Sequence, residues 1–327
     1  MKPVLKVKNL TTCLQLDGKD FPVVSQVSFE LHSGRTLALV GESGCGKSMT
    51  ALSIMRILPT PPAAQPTGEV VYQDRNLLKL SEAEMRGIRG NKIGMIFQDP
   101  MSSLNPVYSI GDQLMEVATE HLGLEEEEAE EKGMQALEDV GIPNPKIRFH
   151  DYPHQLSGGM KQRVMIAMSL MCEPDILIAD EPTTALDVTI QAQVLNLMRE
   201  LQQKKGMAIL LITHDMGVVS EIADDVVVMY ATRVIEQGTK QQIFEKKSHP
   251  YTKGLFESLP QVHKPKQKLN VIKGSVPPIQ KLPTGCHFHP RCPYAMDMCR
   301  QGDVPDFVVG QGYTAKCWLH QEKSDDL

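Results

Sequence analysis

Thr36-Leu37-Ala38-Leu39-Val40-Gly41-Glu42-Ser43-Gly44-Cys45-Gly46-Lys47-Ser48 is the stretch from which the rest of the chain takes its meaning. The apolar run 36–40 has the length and bulk of a buried strand, the glycines at 41, 44 and 46 punctuate a loop, and 49–58 reads as a helix. The spacing is G-x-x-x-x-G-K-S. Backbone N–H groups along Gly41, Glu42, Ser43, Gly44, Cys45 and Gly46 point inward at the positive end of that helix, whose first turn holds Met49. The loop therefore favours an anion before any side chain is counted. Lys47 reaches the β- and γ-phosphates of a nucleotide. Ser48 offers its hydroxyl to Mg²⁺, a hard cation that prefers to bridge phosphates.

Further along, Ile176-Leu177-Ile178-Ala179-Asp180-Glu181 is a buried strand ending in two acids. Asp180 suits Mg²⁺ held through water, and Glu181 suits a base that polarises the attacking water, since phosphoryl transfer asks little covalent chemistry of the protein. Such an ending is common alone and gains meaning only behind a phosphate cradle.

The chain reads as α/β. Residues 6–16 and 23–31 alternate as strands around a turn at Asp17-Gly18, which predicts an antiparallel β subdomain. The proline-rich stretch 59–66 ends the helix after the cradle, and 69–72 and 93–97 read as strands. From about 99 to 157 the texture turns helical and acidic, which predicts an inserted helical subdomain, with the acidic run 125–131 as a solvated helix face or a fraying loop. Helix, strand 175–179, helix 188–205 and strand 208–213 then alternate as in a parallel core sheet. Residues 226–230 and 233–236 read as a closing hairpin, and 239–259 as a terminal helical segment. Past Pro260 the prolines and clustered cysteines predict a loop-rich extension with little core of its own. The expected division is an ATPase domain at 1–259 and a Cys-rich extension at 260–327.

Composition bounds the function. With 327 residues, 41% hydrophobic and 23% charged, this is an ordinary globular composition, and a formal net charge of -6 argues against binding nucleic acid through global positive charge. No window approaches a membrane helix, and residues 1–10 lack the apolar centre of a signal peptide, so a cytoplasmic location is expected. Of seven cysteines, Cys286, Cys292, Cys299 and Cys317 crowd the C-terminal region as C-x5-C-x6-C-x17-C. In a reducing compartment they suggest a metal centre before disulfides. Four thiolates suit zinc or an iron–sulfur cluster; the absence of a tight C-x2-4-C pair favours the larger group. His287, His289 and His320 lie near enough to stand in for a cysteine.

Leu156-Ser157-Gly158-Gly159-Met160, followed by Lys161-Gln162-Arg163, resembles the signature of the nucleotide-binding subunit of ABC transporters. The other elements stand in order: Gln98 after an apolar strand, Ala185-Leu186-Asp187 after the acids, and His214 after 208–213. The resemblance implies an ABC-type P-loop ATPase in which two subunits sandwich two ATP molecules. Each nucleotide lies between one cradle and the partner's counterpart of Ser157, Gly158 and Gly159. Asp187 belongs to the same nucleotide site, His214 contacts the γ-phosphate, and Gln98, which also reaches Mg²⁺, reports it to the helical subdomain. Two positions depart from the pattern. Met160 stands where the wider family most often has Gln, and no aromatic is obvious for stacking on adenine; Phe21 is the nearest candidate, with capping of the core as its other role.

Gln98-Asp99-Pro100-Met101-Ser102-Ser103-Leu104-Asn105-Pro106, His249-Pro250-Tyr251-Thr252 and the cysteine-bearing tail resemble the dipeptide and oligopeptide importers, a group that includes nickel importers. That resemblance implies a similar but non-identical ATPase as partner in a heterodimer, two integral membrane permease subunits and an extracytoplasmic peptide-binding protein. It places the chain peripherally on the cytoplasmic face of the inner (plasma) membrane. It also implies a [4Fe–4S] cluster on the four cysteines, with zinc as the runner-up. The rival is a soluble ATPase of the same superfamily acting on ribosomes or nucleic acid, but such proteins usually fuse two ATPase units or insert long coiled coils. This chain has one of each motif and no sustained heptads.

Overall fold

Alternating burial along residues 5–31 folds the start of the chain into two long strands, β1 (Leu5–Leu16) and β2 (Lys19–Leu31). Asp17 and Gly18 between them both take left-handed backbone, as a two-residue hairpin turn requires. The computed structural model describes residues 2–99, 103–184, 187–258 and 272–323. Met101, Ala185, Leu186 and the expected boundary at 259–260 lie outside the described residues.

The chain divides into two units: one of Met1–Val4, Leu31–Thr36 and Lys79–Ile212, the other of Leu5–Glu30, Leu37–Leu78 and Thr213–Leu327. In the second, β1 and β2 join β4 (Thr67–Tyr72) and β5 (Arg75–Asn76) in a four-stranded sheet of order β2-β1-β4-β5. The strand β3 (Thr36–Val40) is buried at every position and leads into the glycine loop and α1 (Lys47–Met55). That helix ends three residues before the expected 58. Arg56 adopts left-handed backbone, and its guanidinium donates to the Leu77 carbonyl at 3.1 Å.

In the first unit, α2 (Glu82–Ile88) is a helix that the hydrophobic pattern does not announce, although its capping box is written in the sequence. The Ser81 hydroxyl accepts from the Glu84 N–H while the Glu84 carboxylate accepts from the Ser81 N–H. Then follow β6 (Ile93–Ile96), α3 (Ile110–Leu122), α4 (Glu126–Asp139), α5 (Pro145–Arg148) and α6 (Gly158–Leu170). The acidic run opens α4, with Glu126, Glu127 and Glu128 in the first turn, where the helix dipole favours negative charge. Its apolar side buries Ala129, Ala136 and Leu137, so the glutamates form a solvated face as expected. The strands β7 (Ile176–Asp180) and β8 (Ala208–Thr213), joined through α7 (Val188–Lys205), lie parallel, and β6 runs parallel to β7.

The chain returns to the second unit through α8 (Met216–Ile222), β9 (Asp225–Tyr230), parallel to β3, and β10 (Arg233–Thr239), antiparallel to β9. The single helical segment expected at 239–259 is two helices, α9 (Lys240–Lys246) and α10 (Pro250–Glu257). Lys247 in left-handed conformation ends the first, and the second restarts with Pro250 in its first turn and His249 as cap. Residues 272–323 carry a hairpin that the sequence reading passed over. The strand β12 (Tyr313–Ala315) pairs with β10, and β11 (Phe307–Gly310) pairs with β12. Phe288 and Tyr313 are buried in one cluster with Val228, Tyr230, Ile243 and Tyr251, so the loop-rich segment borrows its core from the strands it extends.

Candidate nucleotide site

The loop 41–48 packs too tightly for side chains at two of its glycines. A Cβ at Gly46, where φ is +106°, would lie 2.5 Å from the Val23 carbonyl oxygen, and one at Gly41 would lie 2.3 Å from that of Met229. Gly44 faces open space. Beneath the loop, Lys47 is buried, and its ammonium donates to the carbonyls of Gly41 at 2.8 Å and Glu42 at 3.1 Å. The Thr50 hydroxyl, one turn on, donates to the Gly46 carbonyl at 2.9 Å and steadies the start of α1. Ser43 and Gly44 are exposed; Ser48 and Met49 are half-buried. Cys45 is fully buried, and burial pushes its thiol up. Phe21 lies half-buried on β2, two residues from the Val23 carbonyl that sits against Gly46.

Two loop contacts escape a reading by motif. The Glu42 N–H donates to the Tyr251 hydroxyl at 2.8 Å, and Arg291 grips both oxygens of the Glu42 carboxylate, Nη1 to Oε2 at 2.6 Å and Nη2 to Oε1 at 3.0 Å. Tyr251 belongs to the stretch that resembles the peptide importers, a signal that it matters but not what it touches. Arg291 carried no signal beyond its place beside Cys292. His214, exposed between β8 and α8, stands one residue before the Asp215 cap.

In the other unit, the end of β7 gathers the acids. Asp180 is buried and Glu181 half-buried, with Glu181 in left-handed backbone at φ +46° and its N–H donating to the Ile212 carbonyl at 2.9 Å. A non-glycine residue there is under strain, the kind that aims a functional side chain. The structure brings Gln98 to it: Nε2 donates to Glu181 Oε2 at 3.1 Å, and the Thr184 hydroxyl donates to the same oxygen at 3.0 Å. Ser157 caps α6 by accepting from the Met160 N–H, which leaves Gly158 and Gly159 in the first turn with exposed or half-exposed backbone. Gln162 on that helix donates to the Pro182 carbonyl at 2.6 Å and ties α6 to the loop after the acids. Asp187 caps α7, accepting from the Ile190 N–H at 3.0 Å.

Cys286, Cys292, Cys299 and Cys317 line one cavity, together with His249, Phe288, His289 and Trp318, and none of the four is in a disulfide. Burial raises the thiols of Cys286 and Cys292, and pushes that of Cys317 up to about 12, with the other cysteines' charges adding to it. The Trp318 indole N–H on that wall is buried with no hydrogen-bond partner among the described residues. Among the described residues no three His, Cys, Asp or Glu side chains are drawn together around one point where a metal ion would sit.

Residues 24–184 match the family described as ABC transporter, and 235–299 match the oligopeptide/dipeptide transporter C-terminal region. The chain is 47% identical over 325 residues to the dipeptide transport ATP-binding protein DppD of Bacillus subtilis (strain 168), covering 99% of this chain and 97% of that protein. With the oligopeptide transport ATP-binding protein AppD of the same organism it shares 48% over 323 residues, 99% of this chain and 98% of the other. The chain belongs to the dipeptide and oligopeptide branch of the ABC transporter ATPases. Its reaction is ATP hydrolysis coupled to transport. Among solved structures, this ABC ATPase resembles a dimeric post-hydrolysis state of the ATP-binding cassette MJ0796 bound to ADP and Pi, with TM-score 0.64 and 26% identity over 72% of this chain and 98% of that one. It also resembles cbiO1 of Clostridium perfringens, part of the ABC transporter complex cbiONQ, with TM-score 0.63 and 29% identity over 76% and 92%.

Proposed function

We propose that this ATPase powers the import of dipeptides or oligopeptides through a multi-subunit membrane transporter. The observation that carries the reading is the 47–48% identity to DppD and AppD over nearly the full length, extending through the C-terminal region. The loop 41–48 receives the phosphates: its N–H groups face the anion, and the Lys47 ammonium exchanges its two carbonyl partners for β- and γ-phosphate oxygens. Ser48, Asp180 and Gln98 carry the oxygen donors that would hold a Mg²⁺ ion, which supplies charge neutralisation to the phosphates when bound. Glu181, held by Gln98 and Thr184, orients the attacking water and accepts its proton. His214 contacts the γ-phosphate, and Phe21 stacks on adenine. Asp187 and the exposed N-terminus of α6, with Ser157, Gly158 and Gly159, complete the nucleotide site of a second, similar ATPase subunit in a heterodimer.

No described helix is long and apolar enough to cross a membrane. In this reading the chain joins the membrane through two integral permease subunits, which receive peptide from an extracytoplasmic binding protein, and sits peripherally on the cytoplasmic face of the plasma membrane. Nothing in the cycle calls for nucleic acid.

For the four cysteines the reading remains a [4Fe–4S] cluster, with Cys286, Cys292, Cys299 and Cys317 as the residues that would hold it. What supports it is the donor set: four cysteine thiols around one cavity, none in a disulfide, and an indole N–H with no partner among the described residues. When bound, the group supplies covalent cross-links between segments that share little core. Peptide uptake into proteoliposomes carrying the assembled transporter tests the function. Uptake of dipeptides or oligopeptides that needs ATP and is lost with Lys47→Ala is the expected result; ATP-driven uptake of nickel with none of peptide would overturn it.

A further inference from the structure

Glu42 sits inside the phosphate loop and is held at every polar atom it has. Its N–H donates to Tyr251, its carbonyl accepts from Lys47, and its two carboxylate oxygens accept from Arg291. The Arg291 side chain is 7% exposed and that of Glu42 29%, so the pair is largely out of water. The guanidinium is fixed in turn. Its Nε donates to the Lys273 carbonyl at 2.9 Å, Nη2 to that of Gly274 at 3.2 Å, and Nη1 to the Tyr230 hydroxyl at 3.3 Å. It lies 5.7 Å from the ring centre of Tyr230 and 5.9 Å from that of Phe288. Phe288 packs against Tyr251 at 5.4 Å, so the residue that holds the Glu42 N–H and the residue that holds its carboxylate share one aromatic cluster.

We propose that Arg291 is a positioning residue for ATP binding, which fixes the phosphate loop through Glu42 and so makes the cysteine-bearing segment part of the nucleotide site. The proposal rests on reading 41–48 as the phosphate loop. The Arg291 nitrogens are engaged by protein acceptors, so the side chain acts through Glu42 rather than on the phosphates. A bidentate fork fixes orientation as well as distance, which a lysine ammonium cannot do. A loop whose N–H groups are already aimed binds an anion with less ordering to be lost on binding. Coupling is reciprocal, so ATP in the loop also tightens the segment around Arg291.

The test is titration of the full chain with a fluorescent ATP analogue, together with steady-state hydrolysis in the assembled transporter. Arg291→Ala is expected to weaken nucleotide affinity roughly tenfold, raising KM for ATP while kcat at saturation holds. Arg291→Lys recovers only part of the loss. Adding Glu42→Gln to Arg291→Ala costs no further affinity, because both changes break the same contact. In wild type, ATP slows hydrogen exchange across 286–292; in Arg291→Ala it does not. An Arg291→Ala chain that melts at lower temperature yet binds the nucleotide like wild type would overturn the proposal, leaving Arg291 a structural residue. Should Arg291→Ala fail to fold, Glu42→Gln alone carries the test, and unchanged affinity there is equally fatal. Lys47→Ala separates the two levels: if it leaves affinity intact, the reading of the loop itself is wrong.

Discussion

Lys47 and Glu181 are assigned to the nucleotide site from residue type and local spacing, and Gln98 from the family resemblance. The structure adds the hydrogen bond that joins Gln98 to Glu181 and the left-handed backbone of Glu181. Arg291 was illegible for a physical reason: its partner Glu42 lies 249 positions away, and no local pattern encodes a contact of that range. Gly46 makes a prediction at this scale. Its left-handed φ and the Val23 oxygen 2.5 Å from any Cβ mean that Gly46→Ala must displace the loop from β2. The strain and the contact together should lower folding stability by about 2 kcal/mol and weaken ATP binding as well, measured by thermal melting and nucleotide titration.

Elements built on a long helical period or a continuous apolar run were legible almost residue for residue, as with α7 and β8. Those that depend on a distant partner were not. The strand β12 has three residues and exists because β10 offers it an edge; nothing within Tyr313–Ala315 demands a strand. The break between α9 and α10 rests on Lys247 taking a conformation that lysine seldom adopts, whereas the Ser81 capping box was written plainly and could have announced α2. Glu236 on β10 is what joins these elements. Fully buried, its carboxylate accepts from the N–H groups of Ser248 at 2.7 Å and His249 at 2.9 Å, and from the Tyr313 hydroxyl. Glu236→Gln keeps the shape but sets an amide N–H₂ against donors. It should destabilise the α9–α10 junction by about 2–3 kcal/mol, seen as a lower melting temperature and faster hydrogen exchange at Ser248 and His249.

At the scale of the whole molecule, the class of the protein was legible because its machinery is spelled in short motifs, while the role of residues 272–323 was not. They read as a tail with little core, and the structure instead packs Phe288 and Tyr313 into the strands beside the phosphate loop. On the reading proposed above, a cluster in the cysteine cavity would cross-link this segment. Anaerobic purification should yield about four irons per chain and visible absorbance, with both lost on Cys292→Ser. One zinc per chain in a colourless protein would refute the cluster while leaving the ATPase reading intact. The central claim is that this chain binds and hydrolyses ATP with Glu181 as the base that acts on water. The direct measurement is ATP turnover and ATP binding side by side in wild type and Glu181→Gln, both in the assembled transporter. The account predicts that Glu181→Gln binds ATP as tightly as wild type and loses turnover by about 10²- to 10⁴-fold. Turnover at the wild-type rate in Glu181→Gln would contradict it.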